Sequence, residues 1–283
     1  MEPDHQTVQT PDGRSLATHT WGSGERVVVF ESALGLSGLC WAPVANLLDD
    51  RVRAVAYDRA GYGRSTSGVG ARTLDALAAD LACVIEAQGV RDVVLVGHSW
   101  GGPIVRRAVE LMPAGVVSSL VLVDPSDERT EAYFTRRTRA LEWVHAVMFP
   151  SRVRAKLLKA GLRKGLGPVL VADELEALIS ASASTSALRA CAKEGRRIRA
   201  GLLQLREGTR SATVATVLIS GTKPAVGSAR RDLLGAHQRS VAANPGWRLV
   251  EAPDSGHYVL FTQPQLVADE ILRACGRRVG ESG

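Results

Sequence analysis

The segment Gly97-His98-Ser99-Trp100-Gly101 carries the clearest chemical signature in the sequence. It follows an apolar run of strand length, VVLV at 93–96, and precedes a helical pattern that starts near Pro103. A G-x-S-x-G motif between a strand and a helix forces a sharp turn, which presents the serine hydroxyl above the sheet edge at the positive end of the helix. A glycine-rich turn can also carry an ordinary solvated serine. It is the position of the motif between a strand and a helix that makes Ser99 the candidate nucleophile.

A nucleophilic serine needs a base that can take its proton. Among the six histidines, His257 follows the strand-like segment WRLVEA in a loop that contains Gly256, and this loop can reach the sheet edge predicted for Ser99. We therefore predict that His257 is the base. The other histidines are set aside by position: His5 near the terminus, His19 in an opening hairpin, His98 fixed beside the serine, His145 in an insertion and His237 in a predicted surface helix.

Strand and helix patterns alternate through the first half of the chain and again near its C-terminus. The strand-like runs lie at 26–30, 53–57, 92–97, 119–123, 213–220 and 247–252. This alternation predicts an α/β protein with a doubly wound, mostly parallel sheet and helices on both faces. The alternation of strand and helix patterns ends after Asp124, and the patterns that follow are helical. We predict one core formed by residues 1–124 and 211–283, with a helical insertion at 125–210.

Length and composition exclude several classes of protein. The chain has 283 residues, of which 45% are hydrophobic and 23% charged, as is typical of globular proteins. No apolar run approaches the roughly 18 residues of a membrane span, so we expect no stable membrane insertion. The net charge is +6, but the sequence shows no nucleic-acid-binding module, and we expect no nucleic acid partner. The N-terminal segment lacks the basic and apolar regions of a signal peptide, which favours a cytoplasmic protein.

Five segments resemble, in order and spacing, the sheet landmarks of the α/β-hydrolase family. They are VVVFESALGLSGLCW (27–41), DRAGYGRS (58–65), GHSWGG (97–102), LVLVD (120–124) and GHYVLFTQP (256–264). The resemblance covers nearly the whole chain and implies an α/β-hydrolase fold whose helical insertion is a lid. It also implies a serine hydrolase that cleaves a carboxylic ester, lactone or thioester through an acyl-enzyme, with a small-molecule acyl compound as substrate.

The resemblance also guides the choice of the acid that holds the base. Most family members place an aspartate shortly after the strand that corresponds to TVLIS, in a G-x-x-D pattern, but here the fourth residue is Pro224. A minority supplies the acid one strand earlier, at the position of Asp124. We predict Asp124, because the acid must hold the histidine tautomer and stabilise the imidazolium. Asp127 is the alternative, and Asp232 would need a rearranged loop.

Two backbone N–H groups must bind the oxyanion that forms during acyl transfer. Trp100, the residue after the nucleophile, supplies one of them. By resemblance the other comes from the loop after the strand at 26–30, where Glu31-Ser32 replaces the usual His-Gly pair and Ala33 is the predicted donor. The sequence contains no metal-site or nucleotide-binding motif, so we expect no metal and no cofactor.

Other activities are compatible with the same residues. The serine and histidine would equally serve a thioesterase or a perhydrolase, and a catalytically idle family member could bind a small molecule as a receptor. Within the predicted lid, Trp143, Met148 and Phe149 are candidates for lining the substrate pocket. A basic amphipathic pattern in the lid is either a solvated surface or a site for anionic lipid or an acidic acyl carrier; it comprises Arg152, Lys156, Lys159 and Arg163. The sequence leaves the individual substrate and the oligomeric state open.

Overall fold

The computed structural model describes residues 2–68, 70–135, 151–207, 213–223 and 228–276. Within these ranges one sheet contains the strands β1 (Asp4–Gln9), β2 (Ser15–Trp21), β3 (Arg26–Glu31), β4 (Val52–Tyr57), β5 (Val93–His98), β6 (Val117–Val123), β7 (Ala215–Gly221) and β8 (Trp247–Ala252). The α-helices are α1 (Ala42–Ala45), α2 (Leu74–Glu86), α3 (Gly101–Leu111), α4 (Ser151–Leu166), α5 (Ala172–Ser182), α6 (Thr185–Gly195), α7 (Ile198–Leu205), α8 (Ser228–Ala242), α9 (Val259–Thr262) and α10 (Pro264–Gly276).

The strand order across the sheet is β1-β2-β4-β3-β5-β6-β7-β8. The first hairpin is antiparallel and β2 pairs antiparallel with β4, whereas every pair from β4 to β8 is parallel. The expected mostly parallel α/β sheet is therefore confirmed. Because parallel strands end at the same edge of the sheet, the loops after β3, β5, β6 and β8 meet there, where ligands bind in open α/β folds.

Helices cover both faces of the sheet, and the alternation of side chains along β3 shows the two layers. Val28 and Phe30 belong to one buried cluster, which includes residues of α1 and α10, while Val27 and Val29 belong to a second cluster with residues of α2 and α3. Successive strand side chains point to opposite faces, so a strand that is apolar throughout must be buried on both. This explains why β3 reads as a continuous apolar run.

Two helical segments on either side of β4 illustrate how local signals translate into structure. Apolar residues from Leu74 onward have helical spacing, and Thr73 caps α2 by accepting a hydrogen bond from the N–H of Ala76. Before β4 the helical structure is short: a 3-10 turn at Gly38–Trp41 leads into the single turn of α1. The chain then reverses at Asp49, whose carbonyl accepts from the N–H of Val52 at the start of β4.

Helices alone occupy the described part of the segment between β6 and β7. A 3-10 turn at Glu131–Phe134 is followed by α4 to α7. Ser184 lies between α5 and α6 and caps α6 by accepting a hydrogen bond from the N–H of Ala187. An exposed salt bridge of 2.9 Å joins Arg163 in α4 to Glu176 in α5. None of the helices in the described ranges is long and apolar enough to cross a membrane.

Candidate active site

Ser99 lies in the turn between β5 and α3 with a φ of 55°, in the left-handed region that residues other than glycine rarely adopt. The glycines on either side permit this turn. A Cβ on Gly97 would lie 2.6 Å from the carbonyl oxygen of Gly101, and a Cβ on Gly101 would collide with the carbonyl oxygen of Glu31. The turn thus requires both glycines of the motif, and it places Ser99 at the N-terminal end of α3, where the helix dipole favours negative charge.

The side chains of Ser99, His257 and Asp124 meet at the carboxyl edge of the sheet. Nε2 of His257 lies 3.0 Å from Oγ of Ser99, and Nδ1 lies 2.7 Å from Oδ2 of Asp124. Because an ionised carboxylate can only accept a hydrogen bond, Nδ1 carries the proton and Nε2 accepts from the serine hydroxyl. The structure therefore places the three residues selected from the sequence in one hydrogen-bonded row.

Asp124 follows the last residue of β6, and its side chain is completely buried. Its Oδ1 accepts from the N–H of Gly221 at 3.0 Å, and the guanidinium of Arg230 spans both carboxylate oxygens at 2.6 and 2.8 Å. Burial acts to raise the pKa of Asp124, but hydrogen bonds from His257 and Arg230 outweigh it and lower the pKa to about 2. The carboxylate therefore stays ionised through the neutral and mildly acidic range.

Sequence reasoning did not anticipate the contribution of Arg230. The residue lies in α8, 106 positions from Asp124 along the chain, and no motif distinguishes it from the other arginines. Only the arrangement of β6, β7 and α8 around one sheet edge brings its guanidinium to the carboxylate.

The two other carboxylates considered as the acid face elsewhere. Asp127 accepts from the N–H of Arg129 at 2.7 Å and from the hydroxyl of Ser240 at 2.6 Å. Asp232 accepts from the N–H of Ala132 at 2.7 Å. The described hydrogen bonds join neither of them to the base, so the geometry favours Asp124 over both.

His98, the residue before Ser99, is completely buried and supports the loop that carries the base. Its Nε2–H donates to the carbonyl oxygen of His257 at 2.9 Å, and the centroids of the two rings lie 4.9 Å apart. Burial, reinforced by the neighbouring His257, lowers the pKa of His98 to about 3. The imidazole therefore stays neutral and acts as a fixed hydrogen-bond donor.

We expect the buried His98 to make the protein less stable in acid. A histidine in the unfolded chain titrates near 6.5, whereas native His98 takes up a proton only near pH 3. Between these values the unfolded chain binds one more proton than the native state, so the free energy of unfolding falls as the pH falls. From pH 8 to pH 5 the His98 contribution to this loss is about 2 kcal/mol.

Chemical denaturation of the wild type and of His98→Gln at pH 8 and pH 5 measures this effect. Glutamine can still donate to the carbonyl of His257 but does not titrate, so the variant should lose less stability between the two pH values. An equal loss in both proteins would show that His98 is not the source.

The sequence placed His237 in a predicted surface helix, but its side chain is completely buried. Its Nε2–H donates to the carbonyl of Pro125 at 2.9 Å, and Nδ1 accepts from the hydroxyl of Ser220 at 2.7 Å. The prediction was wrong because helical spacing does not show which face of α8 meets the sheet. His237 thereby ties α8 to the loop that begins at Asp124.

The two predicted oxyanion donors, the N–H groups of Ala33 and Trp100, lie in the loop after β3 and in the turn after β5. Within the described residues neither N–H group donates a hydrogen bond to the protein. The loop after β3 is braced by the buried Arg59, which donates to the carbonyls of Ser32 and Ala33 at 2.7 and 2.9 Å. Arg59 also donates to Glu31 at 2.6 Å. This brace stands where the family's usual His-Gly pair is missing.

The brace extends into the helical segment between β6 and β7. Glu194 of α6 is completely buried and lies 3.1 Å from the guanidinium of Arg59 and 2.8 Å from that of Arg72. Gly201 of α7 faces the ring of Trp100, because a Cβ at this position would lie 2.8 Å from that side chain. One helix of this segment is thus linked to the Ala33 loop through Arg59, and another packs on the ring of Trp100.

Five residues named in the sequence predictions lie outside the described ranges. They are Trp143, Met148 and Phe149, the candidates for lining the pocket, His145, which was set aside as part of the insertion, and Pro224, which occupies the usual position of the acid. The pocket assignment of the first three stays a prediction.

The fold and the site together define the class of α/β hydrolases. Members of this class have a mostly parallel sheet that presents a serine at a strand–helix turn, with a histidine and an aspartate beside it. A family model described as the alpha/beta hydrolase family matches residues 28–270, and the chain belongs to this family. An esterase from Exiguobacterium antarcticum has a similar structure, with a TM-score of 0.71 over 97% of this chain and 100% of its own. At 20% sequence identity this similarity establishes the fold alone.

Curated relatives match the chain over a shorter stretch. A non-heme haloperoxidase from Rhodococcus erythropolis is 39% identical over 117 residues, which cover 41% of this chain and 42% of the relative. A bifunctional esterase/perhydrolase from Acinetobacter calcoaceticus is 37% identical over 118 residues, covering 41% and 43%. The matched part therefore spans about two-fifths of the length of these relatives.

Proposed function

We propose that this protein is a serine hydrolase that cleaves a carboxylic ester, lactone or thioester through an acyl-enzyme intermediate. The observation that carries the proposal is the continuous row from Ser99 Oγ to His257 Nε2 at 3.0 Å and from His257 Nδ1 to Asp124 Oδ2 at 2.7 Å. A hydroxyl bonded to a neutral imidazole, which is itself oriented by a buried carboxylate, has the geometry needed for nucleophilic attack on a carbonyl carbon.

In the first half of the reaction His257 removes the proton of Ser99 as Oγ attacks the carbonyl carbon of the substrate. The carbonyl oxygen becomes an oxyanion, which the N–H groups of Ala33 and Trp100 bind. The imidazolium then gives its proton to the leaving alcohol or thiol as the bond to the acyl carbon breaks. Asp124 stays ionised and stabilises the positive charge on His257 throughout this step.

In the second half a water molecule replaces the leaving group. His257 takes a proton from this water as its oxygen attacks the acyl carbon of the ester on Ser99. The same two N–H groups bind the second oxyanion, and the proton returns to Oγ as the carboxylic acid leaves. The substrate class is a small acyl compound, and apart from this substrate and the water the steps use only groups that the chain supplies.

The helices between β6 and β7 act in this proposal as a lid on the core formed by residues 1–124 and 211–283. The position of these helices supports the role of a lid, because Glu194 of α6 contributes to the brace of the Ala33 loop and Gly201 of α7 faces Trp100. Substrate would therefore bind between the lid and the sheet edge.

Perhydrolysis is the second candidate, because one matched relative is named an esterase/perhydrolase and another a haloperoxidase. Hydrogen peroxide would take the place of water in the second half of the reaction and release a peracid. The same Ser99 and His257 would serve both reactions, so the acceptor molecule alone separates the two activities.

A fluorophosphonate probe and a panel of acyl substrates test the proposal. We expect one adduct per chain, mapped by peptide mass to Ser99, and hydrolysis of esters, lactones or thioesters of graded chain length. Assays with and without hydrogen peroxide then separate water from peroxide as the acceptor. A folded protein that takes no probe and cleaves no member of the panel would instead fit a receptor that binds a small molecule without catalysis.

A further inference from the structure

The carboxylate of Asp124 is shared between two cationic or potentially cationic partners. His257 Nδ1 contacts Oδ2 at 2.7 Å, and Arg230 contacts the same oxygen at 2.6 Å and Oδ1 at 2.8 Å. The Arg230 side chain is only 13% exposed, and it also donates to the carbonyl of Gly221. A bidentate guanidinium fixes both the position and the plane of a carboxylate.

Within the described ranges, the other ionisable side chains whose interactions with this carboxylate or with His257 are seen carry no permanent positive charge. From β5, His98 donates to the carbonyl of His257 and stays neutral because it is buried. From α8, His237 donates to a carbonyl and accepts from a hydroxyl, which is the arrangement of a neutral imidazole. Tyr258 packs against the ring of His257, and Asp127 accepts from the backbone N–H of Arg129 and from the hydroxyl of Ser240. Among the described groups that contact Asp124, Arg230 is thus the fixed cation.

We propose that Arg230 is a positioning residue that holds Asp124 against His257 and, through its charge, keeps the imidazole neutral and able to act as a base at lower pH. This inference rests on the proposed function, because it assigns a role within the same site. A catalytic carboxylate normally stabilises the imidazolium form of its histidine. Here the guanidinium already compensates the carboxylate and repels a second positive charge on the ring.

The sign of the effect follows from this balance of charges. Without Arg230 the full negative charge of Asp124 would act on His257 alone, and the ring would hold its proton more tightly. The value of kcat/KM falls on the acidic side of its pH profile because the base becomes protonated. This fall, the acid limb, should then move to higher pH by about one pH unit. A role of Arg230 in folding alone would lower activity equally at every pH.

The experiment measures kcat/KM of the full-length protein on one activated ester from pH 4.5 to 9. Arg230→Gln and Arg230→Met both remove the charge but differ in polarity. Whichever of the two variants folds shows how the acid limb of kcat/KM changes without the charge. Arg230→Lys keeps the charge and loses the bidentate contact, and Arg231→Gln removes a neighbouring exposed charge on the same helix. Thermal melting establishes that each variant is folded.

We expect the acid limb to move up by about one pH unit in the neutral variants. It should return to within a few tenths of a unit of its original position in Arg230→Lys and stay unchanged in Arg231→Gln. The lysine variant should keep a lower kcat, since one ammonium group cannot set the plane of the carboxylate. A folded neutral variant whose acid limb coincides with that of the wild type would overturn the inference. A wild type that is neither labelled on Ser99 nor active would instead overturn the proposed function.

Discussion

Replacing Ser99 by alanine is expected to lower kcat on an activated ester by on the order of 10⁵-fold or more and to abolish labelling by a fluorophosphonate. In a serine protease of unrelated fold the corresponding loss is about 2 × 10⁶ in kcat. The reason is that the acyl-enzyme can no longer form, and the remaining groups can only assist direct attack by water. Steady-state kinetics and intact mass after labelling measure the two effects.

The fold should survive this substitution, because removing Oγ deletes only a side-chain contact with His257, while the backbone bonds of the turn remain. The matched control is Ser126→Ala, since Ser126 is a buried serine next to the turn whose hydroxyl contacts Tyr133 rather than the base. It should keep activity within a few-fold of the wild type. Full activity in Ser99→Ala, or labelling that moves to another serine, would remove Ser99 from the mechanism.

The sheet and the serine turn could be predicted from the sequence because they depend on short-range features. Apolar runs of strand length mark β3, β5 and β6, and the glycines at 97 and 101 mark a turn that larger residues cannot form. The position of His257 followed from chain order, since a loop after a parallel strand must lie at the same sheet edge as the turn after β5. These elements need no knowledge of distant contacts.

The electrostatic surroundings of the site could not be predicted in the same way. Arg230 reaches Asp124 across 106 positions, and Glu194 reaches Arg59 across 135. Exposed and buried charges look alike in a sequence, because burial depends on which helix face meets the sheet. The same limit explains His237, and it explains why the helices α6 and α7 were anticipated only as part of a helical segment.

Replacing Asp124 by asparagine is expected to lower kcat by roughly 10⁴-fold, the cost of the corresponding change in a serine protease of unrelated fold. The structure supplies a specific reason. Oδ1 faces two fixed donors, Gly221 N–H and an Arg230 N–H, whereas Oδ2 faces only one, the other Arg230 N–H, besides the histidine. The position of Oδ1 is therefore the better one for the asparagine carbonyl oxygen. Its NH₂ group then faces Nδ1 of His257. The imidazole must accept there, its proton moves to Nε2, and Nε2 can no longer take the proton of Ser99.

The matched control, Asp127→Asn, distinguishes this tautomer effect from a general loss of a buried carboxylate. Asp127 is also buried and also accepts two hydrogen bonds, but its partners are Arg129 N–H and the Ser240 hydroxyl. An asparagine can keep both bonds, because the hydroxyl of Ser240 can reverse from donor to acceptor. We therefore expect Asp127→Asn to keep kcat within a few-fold of the wild type, measured on the same activated ester with thermal melting of both variants. The opposite ranking, with a crippled Asp127→Asn and a nearly normal Asp124→Asn, would place the acid at the start of the helical segment rather than at the end of β6.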